Sequence, residues 1–201
     1  MVTVVAISGS LRDWSYTRFG LARALDAAEA AGADAELLDL RAFDLPPLNA
    51  DADTQGDSEA FAQRVRAADA VLLGTPVYHG SYSGVLKNAL DHCGFDEFEG
   101  KTVGLLAVAG GAFPITALEH LRSVCRALDA WVLPHQAAIP RASSAFEDEV
   151  GSQRSRDDGE SPAIVDDAID DRVATLGRRV VEYATIEPDP PTFESDQNVG
   201  G

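Results

Sequence analysis

Val2-Thr3-Val4-Val5-Ala6-Ile7-Ser8-Gly9-Ser10-Leu11-Arg12, with the Ser15-Tyr16-Thr17-Arg18 that follows, decides how this chain is read. The uncharged run Val2 to Ile7 reads as a buried strand. It breaks into a hydroxyl-rich turn and then into the first turn of a helix, where Phe19, Leu21, Ala22, Leu25 and Ala28 keep a helical rhythm up to Gly32. A strand, a turn and a helix start in that order suit phosphate, because the unpaired N–H groups and partial positive charge of the helix face whatever lies beyond the strand end. Taken alone, Ser15 and Thr17 serve a helix cap as well as a phosphate.

Outward from this stretch the same alternation repeats. Ala35 to Leu40 reads as a second strand, closed by Pro46-Pro47, and Ser58 reads as the N-cap of a helix through Asp69. The continuous apolar run Ala70 to Gly74 is a central strand, followed by a glycine-bearing turn from Thr75 to Gly84 and a helix from Val85 to Cys93. Thr102 to Val108 is a fourth strand, Ala109-Gly110-Gly111-Ala112-Phe113-Pro114 a third special turn, and Ile115 to Leu128 a helix. A fifth strand starts at Trp131-Val132-Leu133-Pro134 and resumes over Ala137 to Ile139, and a closing helix spans Ile164 to Ala184. Each parallel neighbour needs a crossover helix, so the pattern predicts an α/β fold: an open, doubly wound, five-stranded parallel sheet with helices on both faces. One domain over residues 1–186 is expected, interrupted by a polar surface excursion at 143–162, with 187–201 an acidic, proline-rich and disordered tail.

Composition narrows the partners. Thirty-three acidic residues against sixteen basic ones give a formal net charge of -17, and only Lys87 and Lys101 are lysines. Such a surface repels nucleic acid and anionic membranes, so neither is an expected partner. The same charge fits a protein adapted to concentrated salt, where self-repulsion is screened. Cys93 and Cys125 fall in helical apolar patterns and read as two reduced, buried thiols; no metal site is expected. No run approaches the length of a membrane span, and Met1 leads straight into the first strand, which points to the cytoplasm.

In a doubly wound sheet the ligand lies beyond the carboxyl ends of the strands. The first turn lacks both the Gly-x-Gly-x-x-Gly of dinucleotide sites and the glycine-lysine pair of a nucleoside-triphosphate loop. Its Ser10, Ser15 and Thr17 hydroxyls and the Arg12 guanidinium suit a terminal phosphate monoester. At the second turn Pro76, Gly80 and Gly84 let backbone approach a flat ligand, while Tyr78, His79 and Tyr82 can cover ring faces or edges. At the third, the amides of Gly110 and Gly111 can meet ring carbonyl oxygens. A phosphate at one strand end and a flat, carbonyl-bearing ring at the next two describe flavin mononucleotide, FMN.

Gly9-Ser10-Leu11-Arg12 with Ser15, and Thr75-Pro76-Val77-Tyr78-His79-Gly80-Ser81-Tyr82-Ser83-Gly84-Val85-Leu86-Lys87-Asn88-Ala89-Leu90-Asp91, resemble the NADPH-dependent FMN reductases of the flavodoxin-like fold. Carried over by position, the resemblance implies phosphate contacts from Ser10, Arg12, Ser15 and Thr17, the last standing where the family often has Asn. It implies ring contacts from Pro76, Val77, Tyr78, His79, Gly80 and Ser81, with Gly110 and Gly111 at the other ring edge. It also implies NADPH or NADH as co-substrate, a small-molecule electron acceptor such as a flavin, quinone or azo dye, and a homodimer or homotetramer with the flavin at the subunit interface. The chemistry would then be flavin-borne, with no dedicated catalytic side chain and His79 the one candidate for shaping the open face. The alternatives are a flavodoxin-like electron carrier and an FMN-binding redox sensor without turnover.

Overall fold

A computed structural model describes residues 1–52, 55–146 and 162–185. Its elements in chain order are β1 (Thr3–Ser8), α1 (Tyr16–Ala30), β2 (Asp34–Asp39), a single 3-10 turn (Leu40–Ala42), α2 (Ser58–Ala67), β3 (Ala70–Pro76), α3 (Gly84–Asp91), α4 (Phe95–Phe98), β4 (Thr102–Val108), α5 (Ile115–Ala127), β5 (Trp131–Val132), β6 (Ala137–Ile139), α6 (Ala142–Ala145) and α7 (Asp167–Glu182). The sheet runs in the order β2-β1-β3-β4-β5, with β6 also on β4, and every ladder is parallel. The strand order reverses after β1, so the carboxyl ends of β1 and β3 flank the crevice where a ligand is expected.

Side-chain alternation along the strands splits the interior into two layers. Val4, Ala6, Leu72 and Leu106 face α1 and α7, while Val5, Ile7, Leu73 and Leu105 face α2, α3 and α5. The helices α1 and α7 cross closely because Gly177 has no side chain; a Cβ there would stand 1.9 Å from the Ala24 carbonyl oxygen.

The fifth strand is split into β5 and β6 for a chemical reason. Pro134 has no N–H to donate, and Arg122 takes the carbonyls of Leu133 and Pro134 at 2.8 and 3.3 Å, so the intervening segment bows off β4. Four expectations are corrected. Ser58 is the first helical residue of α2 rather than its N-cap, and Asp57 before it accepts the Asp44 N–H instead of capping. The closing helix begins at Asp167, because the Asp166 carboxylate accepts the N–H groups of Ala168 and Ile169; Ile164 instead bridges to Phe146. Within the expected excursion Ser143 and Ser144 are exposed, but Ala145 and Phe146 are buried against α1 and α7. Cys93 is half-buried, and only Cys125 is fully buried. The rest of the excursion and residues 187–201 lie outside the described residues.

Candidate functional site

β1 delivers Ser8, Gly9 and Ser10 to the crevice, and neighbouring elements then fix this turn from both sides. The Gly9 N–H bonds the Gly74 carbonyl at 2.9 Å, and the Ser83 hydroxyl donates to the Gly9 carbonyl at 2.7 Å. Ser83 is itself held by the Thr75 hydroxyl, which accepts its N–H at 2.9 Å, and it caps α3 by accepting the Leu86 N–H. Only glycine fits at position 9, since a Cβ would meet both Leu86 Cβ and Ser83 Oγ at 2.8 Å.

Further along, the Arg18 guanidinium donates to the carbonyls of Arg12, at 3.0 Å, and of Asp13. It also pairs with Asp39 at 3.6 Å. Burial is the main cause that lowers the Arg18 pKa from its ordinary value, and the neighbouring Arg41 adds to it. Arg41 in turn bonds both Asp39 and Asp13. Two arginines and two aspartates thus brace the loop between Arg12 and Ser15.

What this frame presents is a set of donors. Ser15 caps α1 by accepting the Arg18 N–H at 3.2 Å, and Ser10 accepts the Arg12 N–H at 3.4 Å. Ser10 and Thr17 are each 2% exposed. Among the described residues the Ser8 hydroxyl, at the end of β1, is fully buried without a hydrogen-bond partner. The Arg12 guanidinium, brought to the same place, is exposed and unpaired among the described residues. The Ser10, Ser15 and Thr17 hydroxyls, an exposed guanidinium and a helix start at one strand end have the chemistry that a phosphate calls for.

Ser10, Arg12, Ser15, Thr17, Pro76, Val77, Tyr78 and Gly110 line a single cleft of about 210 Å³. So eight of the residues singled out from sequence come together. His79, Gly80, Ser81 and Gly111 are not in its lining. His79 and Gly80 form the tip of a tight two-residue turn, with φ of 51° and 77°, closed by reciprocal backbone bonds of 3.0 Å between Tyr78 and Ser81. Both left-handed positions are what such a turn requires, and histidine is one of the few side chains found there. Gly111 is exposed, and its carbonyl accepts the Arg141 N–H. The cleft also takes Trp14, Tyr16, Val108, Ala142 and Ser143, which sequence reasoning missed. Trp14 packs edge-on against Phe19 at 4.9 Å, and Tyr16 stacks on Phe146 at 5.0 Å. Two aromatics bracketing the Ser15 cap were the available signal; Ala142 and Ser143 offered none.

The residues fit FMN with the phosphate inside and the ring outside. The enclosed space is below the roughly 300 to 1,000 Å³ of sites that swallow a whole ligand, while Tyr78 (51% exposed) and the glycines beyond it stand open. A larger groove of about 630 Å³ between α1 and the start of α7 does not compete. It is lined by Asp26, Asp167 and Asp170 against a single Arg23, which Asp170 already neutralises through two bonds of 2.7 Å, so the remaining charge repels a phosphate. No group of acidic, histidine or cysteine side chains among the described residues could hold a metal.

Comparison with known proteins agrees with this geometry. The family described as NADPH-dependent FMN reductase matches residues 2–144. The chain belongs to that family. Among curated relatives of this FMN reductase family member, an FMN-dependent NADPH-azoreductase of Staphylococcus haemolyticus (strain JCSC1435) is 50% identical over 78 residues, 39% of this chain and 42% of that protein. One of the same description from Staphylococcus aureus (strain USA300) is 41% identical over 111 residues, 52% of this chain and 59% of the relative. The chain thus spans about half the length of the curated relatives it matches. The apo crystal structure of an NADH:FMN oxidoreductase superposes with a TM-score of 0.72 at 23% identity, covering 94% of this chain and 92% of the other; at that identity it speaks for the shared flavodoxin-like fold alone.

Proposed function

We propose that this FMN reductase family member binds FMN in the cleft and acts as an NAD(P)H-dependent oxidoreductase that reduces a flavin, quinone or azo acceptor. The observation that carries this is the convergence of a helix start, the Ser10, Ser15 and Thr17 hydroxyls and the Arg12 guanidinium with the β3 and β4 turns at one crevice. Ser10, Arg12, Ser15 and Thr17 would hold the phosphate. Pro76, Val77, Tyr78 and Gly110 would border the ring, with His79, Gly80, Ser81 and Gly111 reaching it from the open rim. FMN, when bound, supplies the hydride chemistry. The chain's task is to fix the ring by one edge and leave the other face accessible, which the exposed rim allows. None of the side chains described here needs to act as the hydride carrier.

The exposed Leu11, Tyr78, Phe113 and Ile115 around the mouth support a second subunit closing the site, as a homodimer or homotetramer. Two free thiols support a cytoplasmic location, and no described helix is long and apolar enough to cross a membrane. Residues 1–186 act as one domain in this reading, with nucleic acid and membranes outside the partner set. Its net charge of -17 supports function in concentrated salt, checked by an unfolding series from dilute buffer upward: full stability without salt sinks that part. The same charge favours a second reading, an electron carrier steered to basic partners. Anaerobic mixing with FMN and NADPH separates the two. Fast bleaching of the flavin supports the reductase, binding without bleaching supports the carrier, and no binding removes both.

A further inference from the structure

His120 on α5 is not a residue that the fold requires. It is exposed, and its Nδ1 lies 3.0 Å from the Ser81 hydroxyl, thirty-nine residues away in sequence. Ser81 ends the tight turn whose other end is Tyr78, and residues paired across such a turn project to one face, with Cβ atoms about 5 Å apart. Tyr78 lines the cleft. The Ser81 hydroxyl therefore stands at the cleft's rim, joined through one hydrogen bond to an imidazole that is open to water.

We propose that His120 and Ser81 form a proton path to the electron acceptor. The proposal rests on the FMN reading above and adds to it how the acceptor is protonated, for an acceptor that ends with two new bonds to hydrogen, as a quinone or an azo compound does. Such an acceptor takes two electrons and one proton as a hydride, supplied ultimately by the reduced nicotinamide, and needs a second proton. That proton comes from Ser81: the Oγ–H bond breaks as the new bond on the acceptor forms. The proton on His120 Nδ1 moves to Ser81 Oγ, and His120 regains one from solvent at its exposed edge. Imidazole is the side chain suited to this task near neutral pH. On its own helix Glu119 and Arg122 stand near it in sequence and pair with each other at 3.8 Å, and Ser81 belongs to the turn that carries Tyr78, His79 and Tyr82. Arg122 is turned away to Gln136 and the Leu133 carbonyl, so it does not hold a fixed charge against the ring.

The test loads the full chain with FMN, reduces it anaerobically with NADPH, and mixes it with a benzoquinone or with ferricyanide over roughly pH 6 to 9. Ferricyanide takes electrons singly and needs no proton. His120→Gln should slow the quinone step about tenfold to hundredfold while moving the ferricyanide step less than about twofold. The wild-type quinone rate should fall on the alkaline side, and the variant's profile should be flat there. Free imidazole should restore part of the rate to His120→Ala. In the FMN-free chain, Ser81→Ala should shift the NMR signals of the His120 ring, which tests the hydrogen bond without turnover. An unchanged quinone-to-ferricyanide ratio and pH profile in His120→Gln, with normal FMN binding and bleaching, overturns this inference alone. Failure of FMN to bind or bleach overturns the FMN reading and this step with it.

Discussion

The turn after β1 and the turns after β3 and β4 meet in the same cleft but are built in opposite ways. Around Gly9 to Arg18 the backbone is fastened at successive points: Gly9 by Gly74 and Ser83, the carbonyls of Arg12 and Asp13 by Arg18. At the rim, among the described residues, nothing stands within 4 Å of where a Cβ on Gly110 or Gly111 would lie, Phe113 is 81% exposed, and the 78–81 turn has one side-chain tether, Ser81 to His120. Fixing a donor set in advance removes its ordering cost from binding. In the proposed reading the phosphate end is therefore ready within one chain, whereas the end proposed for the ring stands open.

The largest effect should come from loosening the ready end. Gly9→Ala forces a methyl group against Leu86 Cβ and Ser83 Oγ, both parts of a packed interior, and overpacking of this kind costs about 1–3 kcal/mol. Urea unfolding should show that loss, and FMN affinity should fall with it; wild-type stability in this variant would mean the turn is softer than its hydrogen bonds indicate. Arg12→Ala should act differently. Its side chain braces none of the described residues, so stability should hold, while the loss of a charge-assisted bond to phosphate, about 1.5–3 kcal/mol, weakens FMN binding roughly tenfold to a hundredfold by fluorescence titration. Equal losses in stability and affinity would erase the distinction between frame and donor.

Acid should loosen the same frame to a smaller extent. Burial works against ionisation of Asp39, but hydrogen bonds from Arg41 and the charges of Arg41 and Arg18 outweigh it and hold the carboxyl below its usual range. The folded chain then binds fewer protons at this group than the unfolded one. Its contribution is present above about pH 4 and is lost as pH falls through the lowered value. Asp39→Asn should weaken FMN binding roughly two- to fivefold at neutral pH and should remove this part of the acid dependence. A variant that keeps the wild-type acid profile assigns the effect to another carboxylate.

Much of this contrast was legible in the sequence. The apolar runs alternate with helical rhythms so regularly that strand and helix identities followed, and glycines and hydroxyls marked the three turns at strand ends. Local chemistry carries such signals. The sequence could not show that Arg18 rather than Arg12 braces the loop, because both stand in the same turn and only the position of Asp39 on β2 separates them. Nor could it bring Ala142 and Ser143 into the cleft: they arrive through β6, and their small side chains follow no period. His120 was invisible for the same reason, since its partner Ser81 lies thirty-nine residues away, beyond α3, α4 and β4. Buried, periodic residues announce themselves; residues that work by meeting a distant element do not.

The smallest effect should be at the open end, and it is the sharpest test of the comparison. Gly110 has an ordinary backbone conformation and open space around it, so Gly110→Ala introduces no strain and no clash with the described residues. Its stability should stay within about 0.5 kcal/mol of wild type. If the ring edge rests against this backbone, the methyl group stands between them and FMN affinity drops modestly, while Gly111→Ala, outside the cleft lining, changes it less. Thermal unfolding of both variants, with and without FMN, reads the two effects separately. A Gly110→Ala variant as damaged as Gly9→Ala in the absence of FMN would show that the rim is already closed by another part of the protein. The asymmetry between a built phosphate end and an unbuilt ring end would then be lost.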